Sequence, residues 1–325
     1  MPKPFSYIAD SAIRLDVFLS QKTGKSRQAI QEQIRLGTVC RNGKPTQKIS
    51  QKLSPGDAIS GTFHEEETFL ELTPIPGNLN ILFEDEHFLV LNKAQGVVVH
   101  PAAGHRGETL VHYLLHYLKG SSEFAMTSTS RPGIVHRLDR GTSGLLLIAK
   151  HRQSQERLSH LFKQRAIKKE YESITWGKLK PSGVFRSVIG RDLSDRKKMS
   201  SRTAKGREAL TRFETAQIFP HMSHVRLFPH TGRTHQLRVH LSEAGHPIVG
   251  DSLYGGRAFQ KQLPLLPQTL QNFLSSIKHP FLHARRLTFS HPFTGADLEF
   301  EAIAPTPFLE LLSHLQKRQS AFPES

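Results

Sequence analysis

The chain has 325 residues, 37% of them apolar, with 44 Lys and Arg against 28 Asp and Glu for a formal charge of +16. That apolar fraction supports a packed core and excludes global disorder, while a charge excess of this size points to a polyanionic partner. A single cysteine, Cys40, excludes an internal disulfide and a zinc site built from several thiolates, and no apolar run is long enough to span a bilayer, so a cytoplasmic protein outside the membrane is expected.

In chain order, Arg14 to Leu19 opens a short amphipathic helix, and Ser26 is a good N-cap for a second one, in which Ile30 and Ile34 stand one turn apart. Gly37 can end that helix. Val39 and Cys40 lead into Asn42-Gly43, a tight-turn pair, and Ser54-Pro55-Gly56-Asp57 precedes a strand over Ala58 to Phe63. Glu65 to Glu67 and Thr73 to Asn78 have the composition of a linker. Further on, strands are predicted over 88–91, 97–99, 134–138, 145–150, 170–176, 210–219 and 224–228, with helices over 110–118, 153–165 and 234–244. Ser121 to Gly133 is predicted as a polar loop. Strands outnumber helices without strict alternation, which predicts an α+β fold around a mixed, mostly antiparallel sheet. The expected domains are 1–75, 76–310 and a C-terminal tail, 311–325.

The charge is concentrated in two blocks. Residues 14–52 hold 9 basic and 2 acidic side chains, and residues 131–257 hold 25 and 10, whereas 53–130 hold 3 and 10. Two separated blocks suggest two polyanion-binding surfaces; the alternative is two solvated faces. The dinucleotide and P-loop fingerprints are absent, as are the HExxH and zinc-deaminase motifs. His221, His224, His230, His235, His240 and His246 crowd together, but Glu243 is the one carboxylate among them and Arg226, Arg233 and Arg238 would repel a cation, so no metal is expected.

The most informative segment is Gly133 to Lys150, two apolar runs flanking a Gly-bracketed polar loop. Asp139 lies there between Arg137 and Arg140, which should keep it ionised. On this reading Asp139 is either a nucleophile or an arginine-paired structural group.

His136-Arg137-Leu138-Asp139-Arg140-Gly141-Thr142-Ser143-Gly144 resembles the first motif of the RluA-type pseudouridine synthases. Lys168 to Tyr171 is similar to the second motif and Thr231 to His240 to the third, and His246 to Asp251, Tyr254-Gly255 and Leu282 to Ala284 also match. Arg14-Leu15-Asp16, Ser26 to Ile30 and Gly37 to Lys44 resemble an S4 RNA-binding domain, with Arg41 where an apolar residue is usual. Val97 to Gly104, Gly190 to Asp192 and Lys198-Met199 resemble the RluD-like subgroup.

The resemblance implies a pseudouridine synthase fold behind a small S4-like α/β domain, and isomerisation of uridines in large-subunit ribosomal RNA without a cofactor. It implies Asp139 as the catalytic group, through attack on C1′, attack on C6 or a glycal route. Tyr171 would stack on the base, Arg238 would pair with Asp139, Leu237 would line the base pocket, and Arg137 would fill the gap left by a flipped base. Arg14, Lys25, Arg27, Lys44, Arg191, Lys197 and Lys198 are the expected RNA contacts, the last three on a mobile loop within 191–212. The expected partner is ribosomal RNA or an assembly intermediate, bound by a monomer. A non-catalytic RNA-binding factor and an N-glycosidase-like hydrolase are the competing functions.

Overall fold

The structure, a computed structural model, describes residues 3–25, 27–63, 73–100, 107–119, 132–195, 197–203 and 205–321. Ser26, Glu65 to Glu67, Pro101 to Gly104, Arg196 and nearly all of the expected loop 121–133 lie outside the described residues. The chain divides into two compact units, Met1–Glu71 and Leu72–Ser325.

The first unit runs β1 (Lys3–Ile8), α1 (Leu15–Thr23), α2 (Arg27–Arg35), β2 (Val39–Arg41), β3 (Lys44–Pro45) and β4 (Ala58–Phe63). Its sheet has the order β1-β4-β2-β3 and is antiparallel throughout. Phe18, Leu19, Ile30 and Ile34 from the helices bury against Val39, Ile59 and Phe63. The helix pair, the Asn42-Gly43 turn and β4 match the sequence reading, the turn with φ of 51° and 75° at its two residues. The unpredicted element is β1, whose Pro4 argues against a strand. It is tolerated because β1 is an edge strand, and Phe5 stacks on Phe63 with ring centroids 4.1 Å apart. Arg41 fits its unusual position by pairing with Asp57 at 2.7 Å.

The second unit contains β5 (Ile81–Glu84), β6 (Phe88–Lys93), α3 (Leu110–Tyr117), β7 (Ser143–Ala149), α4 (Arg152–Lys163), β8 (Lys168–Trp176), β9 (Ser182–Arg191), β10 (Met199–Ser200), β11 (Gly206–Ile218) and β12 (Met222–Pro229). It continues through α5 (Gln236–Glu243), α6 (Gly256–Gln262), α7 (Gln268–Ser276), β13 (Leu282–Ser290), β14 (Asp297–Glu301) and α8 (Thr306–Ala321). Among the described residues ten strands form one mixed sheet, β10-β9-β11-β12-β8-β13-β7-β6-β5, with β14 branching from β13. Every ladder is antiparallel except β13 with β7, which pairs His283 with Ser143 and Ala284 with Gly144. This is the α+β, mostly antiparallel sheet that the element pattern predicts.

The parallel junction depends on Gly144. Its φ is 109°, and a Cβ there would lie 2.3 Å from the Ala284 carbonyl oxygen, so only glycine lets the two strands approach. The apolar run Leu145 to Ala149 is buried on both faces, under Leu110 and Leu114 of α3 on one side and Leu158 of α4 on the other.

Three expectations are corrected. Val97 to Val99 is not a strand: the Val98 and Val99 carbonyls accept from the N–H groups of Leu110 and Val111, satisfying the first turn of α3. Residues 134–138 make a single bridge, Ile134 with Ile148, and then the His136 side chain takes over the pairing by accepting the Leu147 N–H at 2.8 Å. Residues 311–321, within the expected tail, continue α8, which buries Leu311 and Leu315 in the core. The strand β9 is unpredicted because apolar residues lie on both of its faces: Val184 and Val188 face solvent, while Phe185 and Ile189 turn inward beside Ser187, which meets His240.

Candidate active site

The first motif folds as a tight turn. The Thr142 N–H donates to the Asp139 carbonyl at 3.0 Å, and Leu138 is buried just before it. The turn is fastened to the 93–97 segment, where the Gly96 N–H donates to the Arg140 carbonyl at 2.8 Å and Arg140 Nε donates back to the Gly96 carbonyl at 3.1 Å. Lys93 closes the same joint, with Nζ donating to the carbonyls of Ala94, Val97 and Arg140 at 2.9, 3.1 and 3.4 Å. Burial lowers the Lys93 pKa to about 8, against the opposing pull of Asp139.

Opposite the turn stands α5. His235 enters it at a left-handed φ of 56°, and the Gln236 side chain fixes the entry. It accepts from Thr231 Oγ1 at 2.7 Å and from the Arg233 N–H at 3.0 Å, and donates to the Leu210 carbonyl and to Thr211 Oγ1. Leu237 and Arg238 follow, one turning into the core and the other into the cleft.

Arg137, Asp139, Tyr171, Leu237 and Arg238, the five residues expected at the site, line one cleft of about 120 Å³. Tyr171 comes from β8 and packs against two apolar cores at once. Burial, and then the charge of Asp139, raise its hydroxyl pKa, so it stays a neutral phenol at neutral pH. Leu237 is buried beside it, and Arg137 is exposed at the rim.

The charge geometry departs from the sequence reading in one respect. Asp139 is paired with neither sequence neighbour, Arg137 nor Arg140, through any contact seen in the structure; Arg140 turns to Gly96 instead. Its partners come from α5: Arg238 Nη1 lies 3.3 Å from Asp139 Oδ2, and His235 Nε2 lies 3.8 Å from the same oxygen.

Arg238 itself is held by Asp251, which sequence reasoning quoted within a motif but gave no role. Nε donates to Asp251 Oδ2 at 2.7 Å and Nη2 to Oδ1 at 2.9 Å, a bidentate pair in which the Asp251 side chain is 1% exposed. Asp251 Oδ1 also accepts the N–H groups of Leu253 and Tyr254, both at 3.1 Å. Burial opposes the Arg238 charge, but Asp251 and then Asp139 outweigh it and raise the pKa above the usual arginine value.

Three other histidines of the crowded segment serve separate hydrogen bonds. His224 pairs with Glu172, His240 with Thr211 and Ser187, and His246 with the Trp176 carbonyl. Among the described residues no group of three or more His, Cys, Asp or Glu side chains is placed to hold a metal ion.

The expected RNA contacts fall into two groups. In the first unit, Arg14 and Arg27 both donate to the buried Asp16, at 3.0 and 2.7 Å, yet their side chains remain 45% and 52% exposed. Lys25 lies over the Phe63 ring and Lys44 is exposed on β3. In the second unit, the expected loop is partly strand: Arg191 closes β9 and Arg207 lies in β11, with exposed Lys197 and half-buried Lys198 on the connection. That connection is anchored where Ser200 and Ser201 donate to Glu243 and the Met199 N–H donates to the Tyr254 hydroxyl at 2.8 Å.

The family model for RNA pseudouridylate synthases matches residues 87–243, and that for the S4 domain matches residues 13–59. An uncharacterized RNA pseudouridine synthase of Bacillus subtilis, YlyB, is 37% identical over 94% of this chain and 94% of its own length. The ribosomal large subunit pseudouridine synthase D of Pseudomonas aeruginosa is 40% identical over 75% of this chain and 74% of the relative. Among solved structures, human RNA pseudouridylate synthase domain containing 1 is similar with a TM-score of 0.53 and 27% identity, over 77% of this chain and 98% of that one. Among the described residues no helix is long and apolar enough to cross a membrane. The motifs, the cleft they assemble and two relatives 37% and 40% identical over 94% and 74% of their own lengths agree: the chain belongs to the RluA-type RNA pseudouridine synthases, a family of isomerases, and carries an S4 domain ahead of the catalytic one.

Proposed function

We propose that this enzyme converts specific uridines of large-subunit ribosomal RNA to pseudouridine, acting as a cytoplasmic monomer on the RNA or on an assembly intermediate. The substrate class follows from the relatives named ribosomal large subunit pseudouridine synthase D. The observation that carries the reading is the convergence of Asp139, Arg238 and Tyr171 in one cleft, from three elements far apart in sequence.

In this reading uracil leaves C1′, turns within the cleft and rejoins through C5, with no net oxidation or hydrolysis and hence no co-reactant. Asp139 is the catalytic group. Arg238, fixed by Asp251, holds its charge in place, a preorganisation that needs no rearrangement during the reaction. Tyr171 offers its ring to the base, Leu237 forms the apolar floor, and Arg137 occupies the gap left in the RNA. Arg14, Lys25, Arg27 and Lys44 in a domain spanning 1–75, and Arg191, Lys197 and Lys198 in the catalytic domain, contact phosphates. The test is pseudouridine mapping of ribosomal RNA from cells with and without the protein. Sites lost from the large-subunit RNA and restored by the wild-type gene are expected; an unchanged map would refute the substrate assignment.

A further inference from the structure

His235 and Tyr254 are half-buried polar groups that the reaction as described does not use. The Tyr254 hydroxyl is shared by three neighbours. It receives the Met199 N–H at 2.8 Å, lies 2.9 Å from His235 Nδ1, and lies 3.3 Å from the Met199 carbonyl. A phenol has one proton to give, and the nearer acceptor is His235 Nδ1. Burial pushes the Tyr254 hydroxyl up to about 12 and lowers His235 below its usual value, so at neutral pH the phenol keeps its proton and the imidazole is neutral.

A neutral imidazole that accepts at Nδ1 carries its proton on Nε2. Nε2 is the atom that faces Asp139 Oδ2, at 3.8 Å. The opposite tautomer would aim a lone pair at a carboxylate oxygen, which is electrostatically unfavourable. His235 cannot drift from this pose easily, because its backbone is in the left-handed region and its ring stands edge-on to Tyr254, with centroids 5.6 Å apart.

We propose that His235 is a positioning residue whose Nε2–H, set by Tyr254, is a second donor to Asp139 beside Arg238. The proposal rests on Asp139 being the reacting carboxylate. The separation shortens to a hydrogen bond when RNA fills the cleft and removes competing water, as catalytic contacts that are long in the free enzyme commonly do. The same hydroxyl holds the Met199 peptide, so the donor is built from the root of the basic connection between β9 and β11.

The experiment joins imidazole nitrogen NMR on the free protein to single-turnover kinetics at saturating RNA. Wild type should show His235 with a protonated Nε2 and a bare Nδ1, and Tyr254→Phe should shift it toward the other tautomer. Tyr254→Phe and His235→Leu should each slow the single-turnover rate by about tenfold or more, the loss expected for one charge-assisted hydrogen bond. RNA affinity should change by less than about twofold. His235→Gln, which keeps an N–H donor at the matching position, should recover most of the rate. A protonated Nδ1 in wild type overturns the proposal, and so does a His235→Leu rate equal to wild type or a folded His235→Gln as slow as His235→Leu. The reading of the site is tested separately by Asp139→Asn: if that variant turns over normally while the tautomer is as stated, the site assignment fails and not the tautomer.

Discussion

Each unit of this protein buries an aspartate that holds arginine, and the two results differ. In the first unit Asp16, with no side-chain exposure, is gripped by Arg14 and Arg27, whose guanidinium groups remain about half in solvent. Gln31 adds a third donor at 2.8 Å. Burial works against the Asp16 charge, but these donors outweigh it and lower its pKa. In the catalytic unit Asp251 is almost equally buried, but its partner Arg238 is only 11% exposed and gives a further N–H, from Nη1, to Asp139. A buried aspartate thus orients arginine in both places, and the exposure of the arginine decides what it can serve. Solvent-facing pairs suit the screened, interchangeable contacts of a phosphate backbone. A desolvated pair suits a single carboxylate in a small cleft, where fixed charge counts for far more than in water.

The comparison breaks most sharply at Asp251. Asp251→Ala leaves Arg238 buried without its bidentate partner and strips two backbone N–H groups of their acceptor, so unfolding free energy should fall by about 3–5 kcal/mol. The single-turnover rate should fall by more than about a hundredfold, because Arg238 loses its aim. Denaturant titration and rate measurement check both; a cost under about 1 kcal/mol would show that the pair does not organise the site.

Tyr171 gives the next effect. Replacing it with Phe keeps the ring and should preserve most turnover, while Tyr171→Leu should lose a stacking contribution of roughly 1–3 kcal/mol. Equal rates for the two variants would make Tyr171 a core residue.

Lys93 sharpens the electrostatic side. Its folded pKa of about 8 lies below its ordinary value of 10.5, so folding disfavours its charged form. The penalty is present in full below pH 8 and is relieved as pH rises toward 10.5, a gain of about 3 kcal/mol. Activity should run the other way, falling above pH 8 as the cation beside Asp139 is lost. In Lys93→Met both trends should flatten, as read by denaturation and rate at pH 7 and 9.5.

The smallest effect belongs to the exposed pair. Arg14→Gln with Arg27→Gln, which removes both charges but keeps N–H donors for the buried Asp16, should weaken RNA binding a few-fold and lower the salt slope by about 0.7–0.9 for each phosphate contact removed. The single-turnover rate at saturating RNA should not change. A slower rate would mean that the first unit does more than bind.

Much of this was legible in the residues, for identifiable reasons. The helix pair of the first unit and the strands around Leu145 and Tyr171 follow from apolar periodicity; Asp139, Leu237 and Arg238 stand in motifs long enough to be specific, and Tyr171 stands in a shorter one. What was not legible depends on partners distant in sequence. The residues around Asp139 offer Arg137 and Arg140 as partners, and it is the family resemblance that points to the guanidinium 99 residues away. Asp251, His235 and Lys93 carry no pattern that separates a site residue from an ordinary polar one. Val97 to Val99 has strand composition but its carbonyls are used by a helix start, and the outward valines of β9 leave that strand apolar on both faces, so it shows no alternation. Local sequence sets propensity; the β7–β13 junction and the start of α5 decide which charges meet.

The central claim is that Asp139, held by Arg238, is the group on which the reaction turns. Asp139→Asn keeps the side chain's shape and removes its charge and nucleophilicity. Single-turnover pseudouridine formation, measured beside RNA affinity, tests it most directly. The account predicts a loss of more than about a thousandfold in rate with affinity nearly intact. A rate comparable with wild type would contradict it.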